Sequence, residues 1–356
     1  MSVRAVPTIR DVARLAGVSP ATVSNVLGQR KPVDPVLVAR VQRACVELGY
    51  RVHRAASQLR SGRAKVVAAI VPSLENPFFT SLIAALERCA GAGDYEIIVG
   101  SSGECEETEA SRLTALLSWR PAGVIIVPCR DAFASRHLLT GAGVPFVVVD
   151  RVAGDTGDDC VTIDNAAAAA AAAEHLVSLG HRDILVAASK LELSNIRERC
   201  GAIAEVVARV PGGRVEVLEL GFAFDAAAEC MEARMRSGPL PGAAIAVSNY
   251  ATLALLAAFN RFGTLVPDDI SLVGFDDYAW MLAYRPQTTA IRQPITAMAA
   301  EAWGQLTSRI GGSDAPPFRS QLQTNLEIRQ STRAVVTASG RNAAARTRKR
   351  EIAHGT

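Results

Sequence analysis

The N-terminal part of the chain shows the apolar spacing of short amphipathic helices. Positions spaced i, i+3, i+4 and i+7 share one face of a helix, and they are occupied by Ile9, Val12, Ala13 and Ala16. Thr8 can cap this helix through its hydroxyl, and Gly17 tolerates the positive φ at which the helix would end. The pattern therefore predicts a first helix between Thr8 and Gly17.

A second, shorter helix is predicted directly after the turn at Gly17. Ser19 can cap it, and Pro20 fits its first turn, where a backbone N–H is not needed. The apolar side chains that face inward are Val23, Val26 and Leu27. The residues left on the outer side are Pro20, Ala21, Thr22, Ser24 and Asn25.

A third helix is predicted to begin at Asp34 and Pro35. Its apolar stripe consists of Val38, Val41, Cys45 and Leu48. Three helices with a short second one indicate a helix-turn-helix, a motif whose second helix enters the major groove of DNA. The alternative is a small packing domain with no such role.

The outer side of the second helix has side chains that suit DNA. Asn25 can hydrogen-bond a base edge, and Pro20 and Ala21 can contact a thymine methyl group. Thr22 and Ser24 can reach phosphates. These side chains offer few polar groups, but their small size allows the helix to approach DNA closely.

The distribution of charge favours the DNA-binding interpretation. The chain as a whole has a formal net charge of only +3, but residues 1–65 hold 12 Lys or Arg against 3 Asp or Glu. Residues 66–356 hold 26 basic and 32 acidic residues, and have no comparable attraction to a polyanion. The basic charge therefore belongs to the helical N-terminal segment.

Beyond residue 65 the pattern changes to short apolar runs separated by longer helical stretches. The runs are VVAAIVP, YEIIVG, GVIIVP, PFVVVD, DILVAA, EVLEL, AAIAVS and ISLVGFD. Such runs without strict alternation predict parallel strands covered on both faces, in a doubly wound α/β fold. Eight strands exceed one comfortable sheet, so we expect a division near Asp164 into two lobes.

Polar and aromatic residues follow the ends of these strands, where ligands bind in doubly wound sheets. They are Asn76, Phe78, Phe79, Asp150, Arg151, Arg197, Phe222, Asn249, Tyr250, Asp276, Trp280 and Tyr284. Amides, carboxylates, a guanidinium and rings suit a hydroxylated or carboxylated small molecule. The alternatives are an ordinary turn for Asp276 and a surface salt bridge for Arg197, and the strand-end position favours a functional role for Asp276 and Asn249.

Several classes of function lack their sequence signals. The seven cysteines are scattered without metal-ligand spacing, and no P-loop, GxSxG or GxGxxG motif occurs. We therefore expect no enzyme activity, no metal and no cofactor. The chain also shows no apolar stretch of signal-peptide or membrane-span length, which predicts a cytoplasmic protein without membrane association.

A series of motifs occurs in order along almost the entire chain: TIRDVARLAGVSPATVSNVL, ELGYRVHRAASQLRSG, NPFF, VVVDR, IDN, LGHRDI, VPDDISLVGFDD and TTAIRQP. Together they resemble the lactose-repressor/galactose-repressor (LacI/GalR) family of bacterial regulators. The resemblance implies a helix-turn-helix domain with a hinge helix, followed by a two-lobed, periplasmic-binding-protein-like sensor of doubly wound parallel sheets. It also implies a homodimer on a palindromic DNA operator.

The resemblance assigns DNA-binding roles to residues of the helix-turn-helix domain and of the hinge helix. Pro20, Ala21 and Asn25 fall on base-reading positions, and Thr8, Thr22 and Ser24 on phosphate-contacting positions. The basic segment 54–64, which by itself could equally be a linker, resembles a hinge helix. In it Leu59 would wedge into the minor groove, flanked by Ala56 and Arg60.

Effector contacts are implied at Asn76, Phe78, Asp150, Arg197, Phe222, Asn249 and Asp276. Around Arg197 the family has Arg-x-Arg-x-x-Gly-Phe, whereas this chain reads RERCGAI. We therefore expect this helix to begin differently from its counterpart in the family. The effector would be a sugar, a sugar acid or a similar hydroxylated metabolite.

These observations predict four segments: a DNA-binding domain (1–53), a hinge (54–64), a two-lobed ligand-binding and dimerisation domain (65–332) and a basic tail (333–356). The tail has no leucine heptads, so we expect a dimer and no tetramer. The favoured function is a transcriptional regulator, most often a repressor in the family. The alternatives are a solute-binding protein for uptake, which would need a secretory signal, and an enzyme.

Overall fold

A computed structural model describes residues 7–28, 31–50, 65–152, 154 and 156–335. The chain divides into two compact units, Met1–Ala64 and Lys65–Thr356. The predicted hinge residues Ala56, Leu59 and Arg60, and the tail from residue 336 onward, lie outside the described residues.

The first unit contains three helices, α1 (Ile9–Ala16), α2 (Pro20–Gly28) and α3 (Pro35–Leu48). Thr8 and Asp11 form a reciprocal capping box at the start of α1. Gly17 has φ 62° at its end, a left-handed conformation that glycine adopts without steric cost. Asp34 caps α3 by accepting a hydrogen bond of 2.8 Å from the amide of Val36. The caps therefore set the helix ends that the sequence predicts.

The core of this unit consists of small and β-branched side chains. Its fully buried members are Val12, Ala13, Ala16, Val23, Val41 and Ala44. Ala44 was not part of the predicted stripe of α3, whereas the predicted Val38 is only half-buried. Alanines at the contacts let the three short helices approach closely and leave the outer side of α2 outside the core.

The second unit begins with a lobe built on one parallel sheet, the N-lobe. Its strands are β1 (Val66–Val71), β2 (Glu96–Ser101), β3 (Gly123–Ile126), β4 (Phe146–Val149), β5 (Cys160–Ile163) and β11 (Arg319–Leu322). They are ordered β11-β5-β4-β3-β1-β2, and every pair is parallel. Its helices are α4 (Pro77–Ala92), α5 (Glu106–Leu117), α6 (Arg136–Ala142) and α12 (Ile295–Ile310).

The C-lobe repeats this architecture. Its strands are β6 (Asp183–Ala188), β7 (Arg214–Glu219), β8 (Ala243–Ala246), β9 (Ser271–Phe275), β10 (Thr289–Arg292) and β12 (Asn325–Glu327). The order is β12-β10-β9-β8-β6-β7, with β12 alone antiparallel to its neighbour. Its helices are α7 (Asn165–Ser178), α8 (Ser194–Ala208), α9 (Phe224–Ser237), α10 (Asn249–Phe262) and α11 (Trp280–Ala283).

The chain passes between the lobes three times: after β5, after β10 and after β11. The first passage follows Ile163 and agrees with the predicted division near Asp164. The other two were not predicted. The second takes the chain back to the N-lobe, where it forms α12 and β11, and the third returns it to the C-lobe, where it forms β12. Residues 333–335, assigned to the tail from sequence, are bonded to the C-lobe, since the amide of Val335 donates to the carbonyl of Leu179 at 2.8 Å.

All eight apolar runs form strands, so the predicted doubly wound fold is confirmed. Four further strands, β5, β10, β11 and β12, were missed. Two of these, β11 (RSQL) and β12 (NLE), lie at sheet edges and carry mostly polar side chains, so their sequences lack an apolar run. Among the described residues, no helix has both the length and the apolar character needed to cross a membrane.

Candidate functional site

The carboxyl ends of strands from both lobes meet around a cavity of about 50 Å³. The predicted effector contacts that line it are Asn76, Phe78, Asp150, Phe222 and Asp276, and the strand-end residues Phe79, Arg151 and Tyr250 line it as well. Polar lining residues that the sequence did not single out are Glu104, Ser189, Asn195, Arg199, Ser248 and Gln293. Parallel strands bring these residues together because their carboxyl ends lie at one edge of each sheet.

Arg199 on α8 is the central cation of the cavity. Its Nε donates to Oδ1 of Asn165 at 2.8 Å, and its Nη1 donates to the carbonyl of Val247 at 2.8 Å. The guanidinium lies 3.9 Å from the centroid of the Phe275 ring. Burial lowers the pKa of Arg199, and the carboxylates of Asp150 and Asp276 oppose that shift. These contacts hold the group in one orientation.

Asp276 follows β9 and faces this cation from a left-handed backbone conformation, with φ 65°. Its Oδ1 accepts a hydrogen bond of 2.5 Å from Nε2 of Gln293, and its carboxylate also accepts from the backbone amide of Asn249. Burial raises the pKa of Asp276 to about 6, although Arg199 opposes the rise. The buried carboxylate of Asp276, which can accept further hydrogen bonds, therefore lies beside the fixed guanidinium of Arg199.

Asp150 is the second carboxylate of the cavity and contacts the opposite lobe. It also has a positive φ, 68°, which is strained for a residue with a side chain. Its Oδ2 accepts a hydrogen bond of 3.3 Å from Nδ2 of Asn195 on α8. The two strained aspartates thus end one strand in each lobe.

Several buried polar atoms around the cavity make no hydrogen bond within the described part of the chain. They are Oδ1 of Asn195, Oε1 of Gln293 and both side-chain polar atoms of Asn249. Buried polar groups are normally satisfied, so a cluster of unsatisfied ones needs an explanation. Polar groups of a bound molecule would provide it for Asn195 and Gln293, which line the cavity.

Two of the predicted effector contacts do not line the cavity. Arg197 does not line the cavity: its side chain is 52% exposed, and its Nη2 donates to Oδ2 of Asp131 at 3.1 Å. Arg199 lies two positions further along α8, which places it on a different side of the helix. Asn249 is fully buried, and only its neighbours Ser248 and Tyr250 line the cavity. Arg199 occupies the second arginine position of the Arg-x-Arg pattern quoted above, and that position was the available signal for it.

One wall of the cavity is aromatic and surrounded by cations. The ring centroid of Phe222 lies 5.4 Å from Arg151, 5.6 Å from Lys190 and 5.9 Å from Arg130. Arg151 forms a bidentate salt bridge with Glu104, at 2.6 and 2.8 Å, so its charge is largely neutralised. This wall therefore presents the apolar face of the Phe222 ring with charged side chains around it.

The second candidate site is the outer side of α2. Pro20 and Ala21 are exposed, while Thr22, Ser24 and Asn25 are partly exposed and belong to no core cluster. The amide of Thr22 donates to Oγ of Ser19 at 3.1 Å, which caps the helix. Thr8 lies at the start of α1, where its hydroxyl donates to Asp11 at 2.7 Å. Within the described residues, no cluster of His, Cys, Asp or Glu could hold a metal ion.

Comparison with known proteins agrees with this combination of sites. Residues 8–52 match the family described as bacterial regulatory proteins, lacI family, and residues 173–332 match a periplasmic binding protein-like domain. The transcriptional regulator PtxS of Pseudomonas putida is 31% identical over 327 residues, which cover 91% of this chain and 96% of that protein. The chain belongs to the LacI family.

Solved structures extend the likeness over both units. The lac repressor dimer bound to operator and an anti-inducer is 26% identical, with a TM-score of 0.80 and coverage of 92% of this chain and 99% of that one. A complex of the transcriptional regulator CelR with cellobiose is 27% identical, with a TM-score of 0.68 and coverage of 91% and 99%.

Membership of the LacI family decides between the functions considered from sequence. The chain is a DNA-binding transcriptional regulator, because its relatives carry the same helix-turn-helix region and are named as regulators. It is not an enzyme. The family-specific match over residues 8–52 is also inconsistent with the alternative of an uptake protein.

Proposed function

We propose that the chain represses transcription as a homodimer bound to a palindromic operator. A small, uncharged, polyhydroxylated molecule held between the two lobes would control that binding. The observation that carries the proposal is the buried arrangement of Asp150, Arg199 and Asp276 beside unsatisfied amide atoms of Asn195 and Gln293.

Hydroxyl groups match this arrangement because each one both donates and accepts hydrogen bonds. The side-chain oxygens of Asp150 and Asp276 accept hydrogen bonds, whereas Arg199 only donates. Vicinal hydroxyls of a sugar can satisfy such alternating partners. A ligand carboxylate would be repelled by Asp150 and Asp276 and attracted by Arg199 alone, because Arg151 is paired with Glu104. We therefore expect sugar acids to bind more weakly than uncharged sugars.

The aromatic wall supports the same class of ligand. Phe78, Phe79 and Phe222 line the cavity. The apolar C–H face of a sugar ring can pack on them while its hydroxyls face the polar side. Most of the other lining residues carry polar or charged groups, so the site combines an aromatic wall with many hydrogen-bonding partners, as a polyhydroxylated ligand requires.

Binding of this ligand requires movement of the lobes. A cavity of about 50 Å³ holds about four water molecules at roughly 10–15 Å³ each. A sugar is larger, so the closed arrangement must open to admit it. A ligand that binds one arrangement of the lobes better than the other shifts the balance between them, which is how it would change DNA affinity.

On the DNA side, the outer face of α2 would read the operator. Pro20, Ala21 and Asn25 would contact bases, and Thr8, Thr22 and Ser24 phosphates. Ala56, Leu59 and Arg60 of the hinge are proposed to bind the minor groove at the centre of the site. The operator-bound lac repressor dimer supports this arrangement, because it is similar to this chain over both units.

Selection of bound sequences from random duplex DNA by the purified full-length protein tests the DNA half of the proposal. We expect a palindrome bound by two protomers, with Leu59→Ala weakening its affinity at least tenfold. A selected site without two-fold symmetry, or one protomer per site in sedimentation, would overturn the assignment.

Thermal denaturation with uncharged sugars, the matching sugar acids and nucleosides tests the ligand half, since a ligand that binds the native state raises the melting temperature. The uncharged sugars should give the largest shift and change the affinity for the selected operator. A larger shift with a sugar acid would refute the charge argument. A shift without any change in operator affinity would refute control by the cleft.

A further inference from the structure

A second cavity lies beside the first, where the chain passes between the lobes. Its volume is about 460 Å³, compared with about 50 Å³ for the cleft cavity. Only the larger value falls within the roughly 300–1,000 Å³ of ordinary small-molecule sites. We call it the hinge-side cavity, after the crossover between the two lobes and not after the predicted hinge segment 54–64. Its lining residues come from β5, β11 and the first turns of α8, and include Thr162, Gln321 and Glu198.

The two cavities share a wall made of Asp150 and Asn195. These side chains meet in the hydrogen bond of 3.3 Å, which is long and joins the two lobes. Asn195 is 5% exposed, and its Oδ1 has no hydrogen-bond partner among the described residues. The two side chains that line both cavities are therefore joined by one long hydrogen bond, and Asn195 keeps a buried acceptor unused.

Polar groups continue from the cleft cavity into the hinge-side cavity. Asn165 lines the hinge-side cavity, while its Oδ1 accepts from Arg199 of the cleft at 2.8 Å. Thr162, Ser320 and Gln321 add hydroxyl and amide groups to the same lining. Both acidic and basic residues are present, in Glu198 and Arg319, so the lining does not select strongly for a charged ligand.

We propose that the hinge-side cavity is a second subsite for the effector, and that the contact between Asp150 and Asn195 is a gate between the two subsites. This inference rests on the proposed function of the cleft. One end of the effector contacts Arg199 and Asp276, and its larger part passes the open gate into the hinge-side cavity. The effector is then an uncharged oligosaccharide of at least two units, rather than a monosaccharide.

Filling the hinge-side cavity tests this assignment. Gln321 is exposed at the end of an edge strand and belongs to the hinge-side lining only, so Gln321→Trp reduces the cavity without touching the cleft. Gln323 is also exposed, lies two residues further on and lines neither cavity, so Gln323→Trp is the matched control. Melting temperatures of both variants without ligand show whether they fold like the wild type.

The probes are cellobiose, maltose, lactose, melibiose and trehalose, with glucose and galactose as their single units, measured by calorimetry on the full-length protein. We expect at least one disaccharide to bind tenfold more tightly than its units. Gln321→Trp should weaken that disaccharide at least tenfold and change monosaccharide binding less than twofold, and Gln323→Trp should change neither.

Tighter binding of a monosaccharide than of every disaccharide would overturn the second subsite and leave the proposed function intact. Equal disaccharide affinity in Gln321→Trp and wild type would overturn it as well. If no uncharged sugar of the panel binds, both the subsite and the ligand class proposed for the cleft are wrong.

Discussion

The carboxylate of Asp131 in the N-lobe caps a helix of the C-lobe through the backbone of Ser194. The amide of Ser194, the first residue of α8, donates to Oδ2 of Asp131 at 2.7 Å, and its hydroxyl donates to Oδ1 at 3.1 Å. The N-cap residue Leu193 has no side-chain hydrogen-bonding group of its own. Opening the lobes would expose this helix start, so closure and helix capping are coupled.

Removing this cap should destabilise the protein measurably. Asp131→Ala is expected to lower the free energy of unfolding by about 1–2 kcal/mol, the range for loss of an N-cap. Arg197→Ala removes the exposed ion pair with Asp131 and two exposed hydrogen bonds to the carbonyls of Leu191 and Glu192 but keeps the cap, and it should cost less than about 1 kcal/mol. Urea denaturation of both variants checks the difference, and equal losses would show that capping contributes little.

Arg199, and not Arg197, should control effector affinity. Arg199→Lys keeps the charge but loses the fixed fork of donors, and we expect binding to weaken about 10–100-fold, corresponding to about 1.5–3 kcal/mol for a charge-assisted hydrogen bond. Arg197→Ala should stay within threefold of wild type. Calorimetry with the sugar identified by thermal denaturation measures both affinities. A larger loss of affinity in Arg197→Ala than in Arg199→Lys would show that Arg197 binds the effector.

Asp276 should make stability depend on pH in the acidic range. Burial raises the pKa of Asp276 from 3.8 to about 6 in the folded chain. Between these values the folded state binds more protons than the unfolded state, so stability falls as pH rises from about 4 to about 6. The shift corresponds to a loss of about 3 kcal/mol at 1.36 kcal/mol for each pH unit.

Comparison with Asp276→Asn isolates this effect, because the amide does not titrate. The unfolding free energy of wild type minus that of the variant should decrease through this pH window and become constant above it. Carboxylates that do not interact with Asp276 contribute equally to both proteins and cancel. A constant difference at all pH values would mean that the pKa of Asp276 is close to its ordinary value.

Asn25 should contribute to operator recognition without affecting the fold of the N-terminal unit. Asn25→Ala is expected to weaken binding to the selected operator by about 1–3 kcal/mol, the range for one good base contact. Val46 is 83% exposed on α3, so Val46→Ser is a control on another helix. Fluorescence anisotropy at one fixed salt concentration compares them, and equal affinities would remove Asn25 from the base-reading face.

Local chemistry explains which elements were predictable. The capping residues Thr8 and Asp34 and the left-handed Gly17 act on adjacent backbone, so their effects are readable from neighbouring positions. The eight apolar strands were also readable, since strands buried on both faces need continuous apolar runs. The polar edge strands β11 and β12 were not, because their partners β5 and β10 are distant in sequence.

For the candidate site, the sequence by itself determined that Asn76, Asp150, Phe222 and Asp276 would follow strand ends. Only the tertiary structure decided which side chains meet. It turned Arg199 into the cavity and Arg197 towards Asp131, because packing sets the rotation of α8 about its axis. It also formed the hinge-side cavity, whose walls come from segments more than 100 residues apart, such as β5 and β11. Contacts of that range depend on how the lobes pack, and no local spacing encodes them.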